Sequence, residues 1–228
     1  MKITTWNMRG GAQQLYLQTL IAQNDPDVIC LQECGDMSQI LENQAPILGH
    51  PYSLTGKYRS GSVLYDVLFW CNYAEADPRN SLAVMSRLPV HSQGILDPVD
   101  VSPLGFQPHN PRRLPWMEVN EGGVSIAIYS YHAPSANVSK VCSYTNMQIA
   151  ALHRHPGVRA VVGDFNADPT NEAFVAPPTG TVVRGEKATR QGGNLMDYSI
   201  TTPFVYYIFH RAGRLVGASE HYPQSFMY

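Results

Sequence analysis

The sequence predicts an α/β fold in which two packed β-sheets are flanked by helices. Strand-like apolar runs alternate with two stretches at helical spacing, the middle of the chain is rich in strands, and Pro-rich joints separate the later strands. The chain has 228 residues, 44% of them hydrophobic, with no repeat, low-complexity segment or linker. Residues 1–228 are therefore expected to form one domain.

The first elements are a strand, a helix and a second strand. Residues 3–8 are strand-like and end before a pair of glycines. Apolar residues at helical spacing follow over residues 17–21, and this helix is expected to end near residue 25, where an Asp-Pro pair follows. Residues 28–31 form a short apolar run, which is typical of a buried strand.

The middle of the chain predicts further strands and a crossover helix. Residues 62–71, 81–85 and 124–131 are rich in β-branched and aromatic side chains. One helical face follows, with Ser135 or Asn137 as its N-cap. The residues of that face are Val138, Val141, Thr145, Ile149 and Leu152.

The remaining strands are shorter. Residues 158–162 predict a buried strand, and residues 181–183, 195–200 and 205–209 predict three more. The segment 97–115 carries five prolines and predicts a long irregular surface loop.

Composition excludes several classes of protein. The net charge of −2 argues against a protein that coats nucleic acid by bulk electrostatics. Residues 1–100 carry 6 basic and 10 acidic side chains, whereas residues 101–228 carry 10 and 8, so a polyanion is expected to meet the second half. No apolar run predicts a membrane span, and the N-terminus MKITTWNMRGG lacks the apolar stretch of a signal peptide.

The four cysteines show neither a CxxC pair nor Cys/His ligand spacing. A structural zinc site is therefore not expected, and the cysteines are predicted to be ordinary buried thiols. They are Cys30, Cys34, Cys71 and Cys142.

Polar residues that could take part in catalysis or metal binding lie where apolar strands end. Strand ends are rigid platforms that aim side chains into a shared cleft. Each residue alone also has a structural explanation, as a turn former, a cap or a hydrogen-bonded histidine. Their combination at six positions favours a functional site. These residues are Asn7, Glu33, His132, Asp164 with Asn166, Asp197, and Glu220 with His221.

This set of side chains is suited to phosphoryl chemistry. Glu33, Asp164 and Glu220 supply hard oxygen ligands, which favour Mg²⁺, or alternatively Ca²⁺ or Mn²⁺, over zinc. Two histidines near carboxylate or amide groups provide a base that activates water and an acid that protonates the leaving oxygen.

The motifs TWNMRG, LQE, YHAPS, GDFNADP, MDYSIT and SEHYP resemble, in order and rough spacing, those of the endonuclease/exonuclease/phosphatase family, which includes deoxyribonuclease I. The stretches RNSLAVMSRLPV and TRQGGNLMDYSIT are most similar to the catalytic B subunit of cytolethal distending toxins. The resemblance implies a deoxyribonuclease I-like four-layer sandwich of two packed mixed β-sheets flanked by helices. It also implies a metal-dependent hydrolase of phosphate esters.

The resemblance also implies roles for the individual residues. Metal binding is implied for Glu33, with Asn7 beside it and Glu220 as a further carboxylate. His221, oriented by Asp197, would be the general base and His132 the general acid. The groups expected to hold the phosphate, the attacking water or a second metal are Asp164 and Asn166. Arg112 or Arg113, with Arg112 favoured, would grip a phosphate oxygen.

Three departures from the family pattern concern this site. Glu220 replaces the usual aspartate, which adds one methylene. Asn80 or Ser81 stands where deoxyribonuclease I has a glutamate paired with the acid histidine, so His132 is expected to lack an ionic partner there. The segment APSANVS after His132 has no arginine, where the toxins carry one.

Three functions compete on these grounds. The first is a nicking DNA endonuclease of the toxin type, whose candidate phosphate contacts are Arg112, Arg113, Arg184, Lys187 and Arg190. The second is a phosphomonoesterase acting on phosphoinositides or sugar phosphates, although the segment 97–115 has no lysine-rich patch suited to such substrates. The third is a catalytically silent binding module, which would be expected to have lost part of the core set.

The toxin resemblance implies partners and a place of action. DNA would be the substrate, toxin delivery subunits would be partners, and a secreted subunit acting in a host nucleus is favoured over a cytoplasmic enzyme. Because the N-terminus carries no signal, the compartment stays open at this point.

Overall fold

The computed structural model describes residues 1–9, 14–71, 81–100, 102, 112–135, 137–152, 157–170, 181–183, 196–201, 208–211 and 221–228. The helices are α1 (Gln14–Asn24) and α2 (Val138–Leu152), with a 3-10 turn at Met37–Ile40. The first seven strands are β1 (Lys2–Asn7), β2 (Val28–Gln32), β3 (Glu42–Ile47), β4 (His50–Ser60), β5 (Val63–Cys71), β6 (Ser81–Ser86) and β7 (Val90–Leu96). The others are β8 (Leu114–Glu121), β9 (Val124–His132), β10 (Val158–Asp164), β11 (Thr181–Val183), β12 (Asp197–Thr201), β13 (Ile208–Arg211) and β14 (Gln224–Met227).

The strands form two mixed sheets. Sheet I has the order β13-β14-β1-β2-β6-β5-β4-β3, and sheet II has the order β11-β12-β10-β9-β8-β7. Among the strands that the structure describes, each sheet has one parallel pair, β1 with β2 in sheet I and β9 with β10 in sheet II. The other described pairs are antiparallel. Helix α1 connects the first parallel pair and α2 the second, as parallel neighbours require a crossover.

Three apolar clusters separate four layers. The central cluster lies between the sheets and includes Ile3, Val84, Ile128 and Phe226. A second cluster joins α1 to the outer face of sheet I, and a third joins α2 to the outer face of sheet II. The predicted sandwich of two sheets between helices is thus confirmed.

Most predicted elements lie where the sequence indicated. Asn137, and not Ser135, caps α2, because its Oδ1 accepts a hydrogen bond of 3.0 Å from the Ser139 amide. All four cysteines are buried and free, as predicted. In the part of the chain that the structure describes, no helix is long and apolar enough to cross a membrane.

Several strands were not predicted. Strands β3, β4, β7, β8 and β14 are polar or interrupted by proline, and β3 is exposed almost throughout. Pro115, predicted in the loop 97–115, is the second residue of β8, where a proline near the start of a strand is tolerated. Residue 195 and residues 205–207 of the predicted late strands lie outside the described residues.

Gly163 allows β9 and β10 to approach closely beneath the strand ends. A Cβ at this position would lie 1.9 Å from the Tyr131 carbonyl oxygen, which belongs to the neighbouring paired strand. We expect Gly163→Ala to lower the free energy of unfolding by about 3 kcal/mol, the upper range for overpacking, as measured by urea denaturation. Gly49→Ala is the control, because its Cβ would meet nothing within 4 Å and the only cost is that of an alanine at φ of 80°, about 1 kcal/mol. Equal losses in the two variants would contradict this explanation.

Candidate active site

The topology gathers the predicted site residues at one edge of the sandwich. Asn7, His132 and Asp164 end β1, β9 and β10, and the ends of parallel strands meet at the same edge. Asp197 begins β12 directly opposite Asp164. Strand β14 runs antiparallel to β1, so the chain before it, at His221, returns to this edge. Side-chain alternation directs Asn7, His132 and Asp164 into the space between the sheets.

Asn7 connects two carboxylates that come from different sheets. Its Nδ2 donates to Glu33 Oε1 at 3.2 Å and to Asp164 Oδ2 at 2.9 Å. Its Oδ1 accepts from the Arg9 amide at 2.9 Å, which fixes the orientation of the amide. Glu33 follows β2 in sheet I, so the carboxylates converge from opposite sides of the cleft.

His221 and Asp197 form a hydrogen-bonded pair. His221 Nδ1 lies 2.8 Å from Asp197 Oδ2, and Asp197 is fully buried. The other ring nitrogen, Nε2, lies 3.7 Å from Asp164 Oδ2. Because the carboxylate accepts the Nδ1 proton, Nε2 is left as the basic nitrogen facing the cleft.

His132 lies near one of the same carboxylates, Asp164, and near Glu33. Its Nε2 is 3.7 Å from both Glu33 Oε1 and Asp164 Oδ2. Its Nδ1 is buried and has no hydrogen-bond partner among the described residues. Ser81, one candidate for the replaced glutamate, accepts a hydrogen bond from Cys34 Sγ at 3.5 Å.

A backbone carbonyl anchors two further polar side chains. The Ala133 carbonyl accepts from Arg112 at 2.6 Å and from Asn166 Nδ2 at 2.8 Å. Asp164 Oδ1 accepts a hydrogen bond of 2.9 Å from the backbone N–H of Asn166, so the chain after β10 folds back on the end of that strand. A carbonyl acceptor cannot be identified from residue types, and the sequence did not indicate this anchor.

The two candidate arginines differ in position. Arg112 is half-buried and is close enough to Glu33 and Asp164 to interact with their charges. Arg113 contacts His50 Nδ1 at 2.8 Å and Asp97 at 2.7 Å. Glu220 lies outside the described residues, as do the predicted phosphate contacts Arg184, Lys187 and Arg190.

Two site residues have left-handed backbone conformations. Glu33 has φ of 49° and Asn166 has φ of 50°. This region is unfavourable for a side chain such as glutamate by roughly 1–2 kcal/mol, whereas asparagine adopts it more readily. The surrounding contacts hold Glu33 there, which turns its carboxylate away from the direction of β2 and toward Asn7.

Burial sets the electrostatics of the cluster. Burial raises the pKa of Glu33, opposed by the hydrogen bond from Asn7 and the charge of Arg112. Burial and the Asp197 carboxylate raise the pKa of Asp164. Burial holds the pKa of His132 well below its usual value, and Arg112 and His221 act in the same direction. When its carboxylates are ionised, the cluster therefore carries more negative than positive charge.

The donor set fits a divalent cation. Glu33 Oε1 and Asp164 Oδ2 point toward each other, because both accept hydrogen bonds from Asn7 Nδ2. One ligand atom from each of Asp164, Asp197 and His221 also lies within 4.8 Å of the others. A cation near Asp164 would relieve the repulsion that raises its pKa. Because Asp197 is engaged by His221, the convergence of Glu33 and Asp164 is the better candidate for the ion.

Comparison with known proteins agrees with this architecture. The sequence model of the endonuclease/exonuclease/phosphatase family matches residues 4–221. Curated protein sequences give no significant match. A Haemophilus ducreyi cytolethal distending toxin structure is similar with a TM-score of 0.77 at 19% identity, covering 99% of this chain and 97% of that chain. The Actinobacillus actinomycetemcomitans toxin has a TM-score of 0.74 at 18% identity, covering 100% and 97%.

A phosphatase structure is also similar. The mannosyl-6-phosphatase of Bacteroides thetaiotaomicron has a TM-score of 0.66 at 15% identity, covering 99% of this chain and 98% of that chain. At these identities the structural similarities establish the fold, and the predicted resemblance is confirmed at that level. With nearly its whole length matched, the chain belongs to the endonuclease/exonuclease/phosphatase family of nuclease- and phosphatase-type hydrolases, whose members generally use divalent metal ions.

Proposed function

We propose that the chain is a metal-dependent phosphodiesterase that nicks DNA. The observation that carries the proposal is the placement of two histidines around one carboxylate, with His132 Nε2 and His221 Nε2 each 3.7 Å from Asp164 Oδ2. Such a pair can transfer protons on both sides of a phosphorus atom. The similarity to cytolethal distending toxins in fold, together with the shared motifs, favours DNA as the phosphodiester.

Arg112 and Asn166 are assigned to the phosphate. Both are anchored on the Ala133 carbonyl, so they stand together at the rim of the site. The Arg112 guanidinium would donate to a non-bridging phosphate oxygen, a charge-assisted hydrogen bond that strengthens as charge develops. Asn166 would orient the phosphate or the attacking water from the same side.

His221 is the proposed general base and His132 the proposed general acid. His221 Nε2 removes a proton from water, whose oxygen attacks phosphorus, and the bond between phosphorus and the leaving oxygen breaks. His132 Nε2 gives its proton to that oxygen, so the products are a phosphomonoester and an alcohol. Burial lowers the pKa of His132 in the free site, and the negative charge of a bound phosphodiester would raise it and favour the protonated form.

Glu33 and Asp164 are the proposed holders of the cation, with Asn7 beside them donating to both carboxylates. Mg²⁺ is the ion expected for these hard oxygen ligands. A bound Mg²⁺ would neutralise charge on the phosphate. Glu220 stays a prediction for a further carboxylate. Delivery subunits and action in a host nucleus also stay predictions of the toxin resemblance.

Asp197 orients and stabilises His221 without reaching the phosphate. Asp197→Asn is expected to lower kcat for phosphodiester hydrolysis by about 10²-fold with KM unchanged, because the imidazolium that forms on proton removal loses its partner. The measurement is initial-rate kinetics beside Asp66→Asn, which removes a partly exposed ion pair with Lys57. Equal kcat in the two variants would contradict this role.

A phosphomonoesterase is the second candidate, favoured by the similarity to the mannosyl-6-phosphatase. Side-by-side assays on plasmid DNA and on phosphoinositide and mannose 6-phosphate separate the two candidates. DNA nicking with phosphate release at background supports the phosphodiesterase. Phosphate release without nicking would assign the same residues to phosphomonoesters.

A further inference from the structure

A fully buried polar layer lies directly beneath the site, between the two sheets. Thr5 precedes Asn7 by two residues in β1, and Ser130 precedes His132 by two residues in β9, so each shares the strand face of the site residue above it. Gln32 ends β2, immediately before Glu33. All three side chains have no exposed surface.

These side chains form one hydrogen-bonded chain that crosses between the sheets. Thr5 Oγ1 donates to Gln32 Oε1 at 3.1 Å, and Gln32 Nε2 donates to Ser130 Oγ at 3.1 Å. Ser130 Oγ then donates to the Leu31 carbonyl at 3.1 Å. Two of these bonds join β9 of sheet II to β2 of sheet I, so the link between the sheets is double.

Room for this link is made by Gly163. A Cβ on Gly163 would lie 3.1 Å from Gln32 Nε2, in addition to its clash with the Tyr131 carbonyl. The amide of Gln32 is therefore held close to the backbone of β10, one residue before Asp164. Strands β1, β9 and β10, each of which carries a site residue, thus meet around the side chain of Gln32.

The polar layer gives direction to a part of the interface whose neighbouring contacts are apolar. A hydrogen bond of 2.6 Å between Ser199 Oγ and Tyr228 OH links the sheets elsewhere. Below the polar layer the sheets contact through apolar side chains such as Cys30, Ile128 and Val162, and such packing is non-directional. Apolar residues of similar volume would give comparable stability, because the net contribution of a buried hydrogen bond to stability is small. Apolar residues would not, however, define the position of sheet I relative to sheet II.

We propose that Gln32 is a positioning residue, which fixes the separation across the cleft between Glu33 on sheet I and His132 with Asp164 on sheet II. The contacts that depend on this separation are those at 3.7 Å between His132 and the two carboxylates. The effect of Gln32 on turnover rests on the proposed phosphodiesterase function, whereas its effect on geometry does not.

The kinetic test uses Gln32→Met, Ser130→Ala and their combination. Each single variant is expected to lower kcat by about 10-fold to 10²-fold with KM unchanged, since a displacement near 1 Å has costs of this size. The double variant should be little worse than Ser130→Ala, because that substitution already removes both bonds of the link. Additive losses in the double variant would overturn the proposal.

Thr4→Val is the matched control. Thr4 lies beside Thr5 in β1, is fully buried, and makes a 2.8 Å hydrogen bond to Ser225 Oγ on the other face of the strand. It should lower the melting temperature about as much as Ser130→Ala and leave kcat unchanged. If kcat falls equally in Thr4→Val and Ser130→Ala, the polar layer contributes only stability and the proposal fails.

A structural readout separates this inference from the proposed function. In crystal structures, the distance from Glu33 Oε1 to His132 Nε2 should differ from the wild-type distance by more than about 0.5 Å in Ser130→Ala, and by less in Thr4→Val. Unchanged distances in Ser130→Ala would overturn the positioning role. If the wild type hydrolyses no phosphodiester, the proposed function fails, and these distances still decide the role of Gln32.

Discussion

His221→Ala is expected to lower kcat for phosphodiester hydrolysis by about 10⁴-fold, the upper range for loss of a general base, while the protein stays folded. Truncation removes the Nε2 atom that faces Asp164 and leaves water without a proton acceptor. Steady-state rates on a fluorogenic DNA duplex, with circular dichroism and the melting temperature measured on the same preparations, provide the test.

His91→Ala is the control for this variant, because His91 is exposed on β7. Its activity should equal that of the wild type, which shows that loss of a histidine alone is harmless. Retention of more than about a tenth of the activity in folded His221→Ala would exceed what loss of a general base allows and would remove the residue from that role.

Glu33→Gln is expected to lower kcat/KM at a fixed low Mg²⁺ concentration by about 10³-fold, since a metal ion supplies several kcal/mol of charge stabilisation. The substitution keeps the shape of the side chain and its contact with Asn7, and it removes the charge that would hold the cation. Part of the activity should return at high Mg²⁺, because the affinity for the ion is what changes.

The measurement is activity as a function of Mg²⁺, together with calorimetric titration of Mn²⁺. Glu42→Gln serves as the control, because Glu42 is exposed on the edge strand β3. An unchanged half-activating Mg²⁺ concentration in Glu33→Gln would show that the cation is held elsewhere, and the Asp164, Asp197 and His221 group would then be the next candidate.

The strand-end residues could be predicted because each follows an apolar run. Asn7, His132 and Asp164 all end strands whose preceding residues are buried, and the two helical crossovers imply that the strands before and after each helix run parallel. Parallel strands end at one edge, so collecting these residues requires only local patterns and chain connectivity. Asp197 was also predicted to lie at a strand end, and in the structure it is the first residue of β12, opposite Asp164.

Other parts of the site depend on contacts between distant segments. The sequence placed Ser130 in a strand and predicted no role for its side chain, because its partner Gln32 lies 98 residues away on the other sheet. Arg112 and Arg113 are neighbours in sequence, and only the way the chain enters β8 separates the one beside Glu33 from the one that contacts His50. Residue types and spacing contain no information on either point.

The missed strands have a similar explanation. Strand β3 is an edge strand with polar, exposed side chains and a proline, so neither alternation nor apolar content marks it. Strand β8 begins at Leu114, within a segment whose prolines suggested a loop. In both cases pairing with a neighbouring strand, and not intrinsic preference, determines the structure.

Conversion of supercoiled plasmid to nicked and linear forms tests metal-dependent cleavage of DNA most directly. Purified wild type should nick the plasmid with Mg²⁺ and stop when EDTA is added, and His132→Ala and His221→Ala, prepared identically, should leave it supercoiled. Nicking that persists in both histidine variants would indicate a contaminating nuclease. A folded wild type that leaves the plasmid supercoiled in Mg²⁺ would contradict the proposed function.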